Sequence, residues 1–180
     1  IDGVDNDGDG YIDNFYGWDT GDNDNDPEWN VSKHGHSVSG TAAAVTDNAN
    51  QVAGVGFKTK ILPIKITNSA QQLVGSYSSI VYAASHGCKI INCSWGTVNS
   101  WSQFGQDVIT YAAINNECLV VCAAGNDNNE GQFYPASFDW ALSVGGTNSS
   151  NSKWVSSGTY GSNYNEHVDI CAPGVDINTV

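Results

Sequence analysis

The chain has 180 residues, 40% hydrophobic and 14% charged, which is enough apolar material for one buried core and too much for a disordered segment. Nineteen acids stand against six lysines and no arginine, giving a net charge of −13 that argues against nucleic-acid and anionic-membrane partners. No apolar run approaches the ~18 residues of a transmembrane helix.

The acid is concentrated at the start. In Asp5-Asn6-Asp7-Gly8-Asp9-Gly10-Tyr11-Ile12-Asp13, carboxylates occupy the first, third, fifth and ninth places of a loop, with Gly10 at the sharp turn. Calcium loops space their oxygen ligands in this way, with a backbone carbonyl, here that of Tyr11, at the seventh place. Asp5, Asp7, Asp9, Tyr11 and Asp13 are therefore the candidate ligands of a structural Ca2+. The twelfth place is Tyr16 instead of Glu and no amphipathic helix precedes the loop, so a true EF-hand is not expected. A solvated acidic loop is the competing reading. Asp19, Asp22, Asp24, Asp26 and Glu28 read as solvated turns that end at Asp26-Pro27. Residues 1–30 thus form an acidic insertion and 31–180 an α/β core.

His34 opens a run of small residues expected to be a buried helix reaching about Thr46. A histidine at such a junction can cap, pack or move protons, its ordinary pKa being near working pH. His34-x-His36 also allows a metal pair on a strand, although the alanines that follow favour a helix, where alternate residues do not share a face.

Strand and helix signals then alternate. Lys60–Ile66, Lys89–Cys93, Leu119–Ala123 and Ala141–Val144 read as strands, and Tyr77–His86 and Asp107–Asn116 as helices. Gly87 closes the first of these helices. The pattern implies a parallel sheet covered on both faces, with sites at the carboxyl ends of its strands. Two strand ends stand out, Ser94-Trp95-Gly96 and Ala124-Gly125-Asn126. As residues alone they are tight turns. The five cysteines (Cys88, Cys93, Cys118, Cys122 and Cys171) mostly lie in apolar runs and read as small buried side chains; their odd number leaves at least one free thiol.

Taken together these stretches resemble the subtilisin-like serine proteases. His34-Gly35, Val38-Ser39-Gly40 fall in register with the family's histidine motif, His36 replacing its usual Thr. Ser94-Trp95-Gly96 matches the substrate edge, and Ala123-Ala124-Gly125-Asn126 the oxyanion motif. Asp7 to Asp19 resembles an acidic insertion common in bacterial members. Tyr134-Pro135-Ala136-Ser137, Leu142 to Thr147 and Val168 to Gly174 continue the match.

The resemblance implies a three-layer α/β fold with a mostly parallel central sheet, incomplete at both ends. It implies a serine endopeptidase with His34 as general base and Asn126 as oxyanion donor. Peptide would be bound by Ser94, Trp95, Gly96, Ala124 and Gly125. The implied partners are a polypeptide substrate and an inhibitory propeptide, in an extracellular or cell-surface setting. The family's Gly-Thr-Ser nucleophile motif is not among these residues; Ser157-Gly158-Thr159 is followed by Tyr160. Asp19-Thr20-Gly21 spells the family's aspartate motif, but no apolar strand precedes it, so the triad Asp is expected upstream of Ile1. The fragment alone is expected to be inactive. A non-catalytic calcium-binding extracellular module and a pseudoprotease are the alternatives. The depth of the specificity pocket depends partly on residues flanking Tyr134 to Trp140, whose placement the sequence leaves open.

Overall fold

The computed structural model describes residues 1–29 and 32–180. The expected boundary between acidic insertion and core falls on residues 30 and 31, outside the described residues. Two compact units are present: Ile1–Ala83 with Asn178–Val180, and Ala84–Ile177.

In the first unit the acidic opening leads through one 3-10 turn, Asn14–Tyr16, into the short strand β1 (Trp18–Asp19). β1 pairs in parallel with β2 (Ile64–Lys65), which places Asp19 opposite Lys65. The expected strand Lys60–Ile66 is therefore only two residues long. Helix α1 (His34–Ala43) starts where expected and ends three residues before the expected Thr46. Ala44 turns to an extended conformation, and the carbonyls of Thr41, Ala42 and Ala44 accept the N–H groups of Val55, Gly56 and Gly54 at 2.8–3.0 Å. The returning loop thus takes up the carbonyls that a longer helix would use. A Cβ on Gly54 would lie 2.4 Å from the Ala44 nitrogen, so this approach needs glycine.

The expected burial of α1 is not found: Gly40 is its one buried residue. That glycine faces the tail, where an added Cβ would lie 2.3 Å from Val180 Cγ2, and Thr179 donates a hydrogen bond to the Ser37 carbonyl. Helix α2 (Ser76–Ser85) buries Ile80, Tyr82 and Ala83. It stops as expected at Gly87, whose φ of 77° suits glycine and whose N–H returns to the Ala84 carbonyl.

The second unit is built on an all-parallel sheet in the order β10-β7-β5-β3, comprising Ile170–Pro173, Ala141–Thr147, Leu119–Ala123 and Ile90–Cys93. Three of these strands were legible as apolar runs. The fourth, β10, was not read as a strand: its apolar run, Ile170 to Pro173, is four residues long and ends in proline, and all four residues are exposed. Burial alternates along β3 and β5: Ile91, Cys93, Val120 and Cys122 are buried, while the register partners Ile90 and Leu119 remain 68% and 46% exposed. Complete cover of both faces is therefore not seen along β3. Cys93, Cys118 and Cys122 are buried, as expected of most of the cysteines, while Cys88 is half-buried and Cys171 exposed; all five thiols are free.

Helix α3 (Gln103–Thr110) begins four residues before the expected Asp107. Ser102 caps it, accepting the Gly105 N–H at 3.0 Å. Gly105 hid this start from the periodicity, yet it is required: a Cβ there would lie 2.5 Å from the Phe138 ring. A wider π turn, Tyr111–Asn115, completes the segment and contacts β5. Two antiparallel pairs complete the unit: β4 (Thr97–Val98) with β6 (Phe133–Tyr134), and β8 (Val155–Ser157) with β9 (Tyr160–Gly161).

Candidate active site

The acidic loop closes on itself. Asp5 accepts the N–H groups of Gly8 and Gly10 at 2.7 and 2.9 Å, and these bonds, that of Gly10 foremost, hold its carboxyl below the usual range. Asp9 accepts the Tyr11 N–H and the Asn14 amide, both at 2.8 Å. Oxygens of Asp5, Asp7 and Asp9 lie within 4.8 Å of one another. Two oxygens on opposite sides of a calcium ion bound at about 2.4 Å are about that far apart, so the donor set fits a hard divalent cation. Asp13 stands outside this group. It accepts the Asp2 and Gly3 N–H groups, which hold its carboxyl low as well. The loop is anchored by the Tyr11 ring, edge-on to Trp18 at 4.9 Å and to Tyr82 at 4.7 Å.

The second acidic group is not uniformly solvated. Asp19 is 1% exposed and paired to Lys65. Its other oxygen accepts the N–H groups of Gly21 and Asp22 at 2.7 and 3.1 Å. Sequence reading missed this because the cation lies 46 residues away and is brought alongside only by the β1–β2 register. With both oxygens engaged, Asp19 is a structural carboxylate.

His34 is the first residue of α1 and is exposed, as is His36. The two are about 200° apart around the helix, so they do not form one ligand face. Among the described residues the cluster able to hold a metal is Asp5, Asp7 and Asp9, without either histidine.

In the second unit, β3 delivers Ser94-Trp95-Gly96 and β5 delivers Ala124-Gly125-Asn126, at the carboxyl ends of adjacent parallel strands. Ser94 Oγ accepts the Asn92 amide at 2.8 Å. Gly96 and Gly125 press on one side chain. A Cβ on Gly96 would meet the Phe133 ring at 2.3 Å, and one on Gly125 would meet it at 2.9 Å. Gly125 also has φ +103°, a conformation that side chains rarely adopt.

Asn163, 2% exposed, organises the loop beyond Gly125. Its side-chain amide donates to the Ala124 carbonyl at 3.0 Å and its Oδ1 accepts the Asp127 N–H at 2.9 Å. Its own N–H donates to the Gly125 carbonyl at 3.0 Å. Gly161 N–H bonds the Asn126 carbonyl at the same distance. The backbone on both sides of Asn126 is thereby fixed. The Asn126 side chain is exposed, and its amide makes no hydrogen bond among the described residues. Its amide is an uncharged hydrogen-bond donor on a backbone that is held on both sides. Asn163 escaped sequence reading because it belongs to no motif there and lies 37 residues beyond Asn126.

The profile of the Subtilase family matches residues 2–180. The chain belongs to the subtilase family. A thermophilic serine proteinase of Bacillus sp. (strain AK1) is 36% identical over 89% of this chain and 39% of the relative. Thermitase of Thermoactinomyces vulgaris is 38% identical over 88% of this chain and 54% of the relative. The chain therefore spans roughly two-fifths to one-half of these curated relatives. A solved protease from Pseudoalteromonas arctica PAMC 21717 superposes with a TM-score of 0.74 at 28% identity, covering 88% of this chain and 56% of that one. The subtilase chain thus has the three-layer α/β class expected of it. Other matched subtilases are named as cell wall-associated, extracellular and intracellular proteases. No helix among the described residues is long and apolar enough to cross a membrane.

Proposed function

We propose that these 180 residues are the base-and-oxyanion part of a serine endopeptidase domain, acting in an extracellular or cell-surface setting. The observation that carries this reading is the unengaged Asn126 amide, presented at a strand end by backbone that Asn163 and Gly161 hold. In the proposed reaction a peptide lies along Ser94-Trp95-Gly96 and past Ala124-Gly125, adding its backbone as a strand. His34 takes the proton from a serine hydroxyl supplied outside these residues as its oxygen attacks the scissile carbonyl. Asn126 donates a hydrogen bond to the tetrahedral oxyanion. His34 then passes the proton to the leaving amine, the C–N bond breaks, and an acyl-enzyme remains. Water, deprotonated by the same imidazole, attacks the ester and releases the acid and the serine. The triad carboxylate is likewise assigned outside these residues, because Asp19 is committed to Lys65. An inhibitory propeptide would occupy the same edge.

Asp5, Asp7 and Asp9 are proposed to hold one Ca2+ as a structural ion. Its chemistry is to offset the repulsion between three close carboxylates.

Three substitutions in the full-length protein, assayed at saturating peptide, test the catalytic reading. His34→Ala should lower kcat by several orders of magnitude, since triad members act as a unit. Asn126→Ala should cost about 10²–10³ in kcat with little change in KM, a range carried over from subtilisin, a relative. His36→Thr restores the family's usual residue and should leave kcat within roughly fewfold, as the opposite face of the helix predicts. An essential His36 beside a dispensable His34 would reverse the assignment.

A further inference from the structure

We propose that Phe133 closes the pocket that receives the side chain of the residue preceding the scissile bond, so that the enzyme prefers Gly, Ala or Ser there over Leu or Phe. This rests on the function proposed above. For Asn126 to donate to the oxyanion, the scissile carbonyl oxygen must come within about 3 Å of its amide. The Cα of the acyl residue is one bond from that carbonyl carbon, so its side chain starts beside Gly125 and Asn126. A peptide paired to Ser94-Trp95-Gly96 brings the same side chain against Gly96. The space that this side chain needs lies between the two glycines.

That space holds the Phe133 ring. A Cβ on Gly96 would stand 2.3 Å from Cε1 and 2.8 Å from Cδ1, whereas one on Gly125 would stand 2.9 Å from Cδ2 and Cγ. The nearest atoms, Cε1 and Cδ2, stand across the ring from each other, so Phe133 lies between the two glycines. Two glycines are needed to admit it, which makes the ring's place a feature of all three positions. Its backbone is pinned as well. Phe133 N–H donates to Ser137 Oγ at 3.1 Å, and Ser137 N–H returns to the Phe133 carbonyl at 2.8 Å. Phe133 is in register with Val98 across the β4–β6 pair, and Tyr134, Pro135 and Ala136 behind it are buried. The backbone that carries the ring is therefore fixed. A residue with one or two side-chain heavy atoms fits above the ring; a Leu or Phe collides with it.

The test uses the full-length protein and a peptide series varying only in the residue before the scissile bond, Ala, Leu or Phe. Enzyme is first titrated with a serine-directed phosphonate, so that absence of a reactive serine is seen separately and counts against the function proposed above. With titrated enzyme, kcat/KM should favour Ala over Phe by about tenfold or more, the discrimination that a few misfitting carbons provide. Phe133→Ala should move the Phe-to-Ala ratio upward by roughly 10–100-fold. Phe133→Leu, which keeps apolar cover on both glycines, should move it less and in the same direction. A titratable wild-type enzyme that prefers Leu or Phe overturns the proposal, whether or not either variant folds. So does a ratio unchanged in a folded variant.

Discussion

Asn163 is a single buried side chain on which the geometry of the Ala124–Asp127 loop depends. Truncating it to Ala leaves the Ala124 carbonyl and the Asp127 N–H without the bonds at 3.0 and 2.9 Å that they now make. Each buried group left unpaired costs about 1–3 kcal/mol. The loop would relax, and Asn126 with it. Because an oxyanion donor acts in the transition state, the loss should appear in kcat, by about 10–10² for a displacement near 1 Å, with KM little changed. Asn163→Asp keeps an acceptor for Asp127 and loses the donor to Ala124, so its kcat should fall between wild type and the Ala variant. Steady-state kinetics of both variants in the full-length protein, beside their melting curves, decide the matter. A lower melting temperature with kcat intact would make Asn163 a structural residue only.

At the scale of elements, the β1–β2 pair depends on Lys65 and Asp19, whose side chains are 12% and 1% exposed. Replacing Lys65 by Met strands a buried carboxylate and should destabilise the chain by about 3–5 kcal/mol, read from urea unfolding. Met beside Asp19→Leu should recover part of that loss. The hydrogen bond to Asp19 raises the Lys65 pKa above its usual 10.5. The stabilisation is therefore fully present below pH 10.5 and lost as pH climbs through the higher folded value. Wild-type unfolding free energy should fall over that alkaline range more steeply than that of the Lys65→Met variant; parallel curves would remove the pair from the account.

The acidic loop behaves as a second such element. If Asp5, Asp7 and Asp9 bind calcium in the folded state alone, a hundredfold excess over Kd adds about 2.7 kcal/mol. The melting temperature should rise with calcium, fall with chelator, and cease to respond in Asp7→Ala or Asp9→Ala. An identical melt in calcium and chelator for the wild type would leave a loop held by its own turns.

For the whole molecule, the prediction concerns what these 180 residues do by themselves. They contain a candidate base and oxyanion donor, but no Gly-Thr-Ser motif. The purified chain should not cleave casein or a fluorogenic peptide. Turnover that a serine-directed phosphonate abolishes would reveal a nucleophile among the serines present and redraw the mechanism.

The α/β class, three of the four strands in the parallel sheet, the start of α1 and the stop at Gly87 were set by local physics: apolar runs, small-residue helices and a glycine that tolerates positive φ. The strand-end motifs around Ser94 and Asn126 were likewise legible, because turn chemistry is encoded within a few consecutive residues. Other features came from partners distant in the chain. Asp19 became a buried ion-pair member only when the β1–β2 register set it opposite Lys65. β10 is a short apolar run that ends in proline, and its place as a strand is set by its parallel pairing with β7. Helix α1 buries Gly40 alone, where it meets the tail, and the early start of α3 includes Gly105, which lies against the Phe138 ring. Asn163 and Phe133 acquired their places in the same way, one by bonding backbone groups in the loop 36 to 39 residues upstream, the other by lying between two glycines. Close packing, buried hydrogen bonds and buried charge are settled between surfaces that only the folded chain brings together, and those contacts decided how the candidate site is held and how much room it leaves.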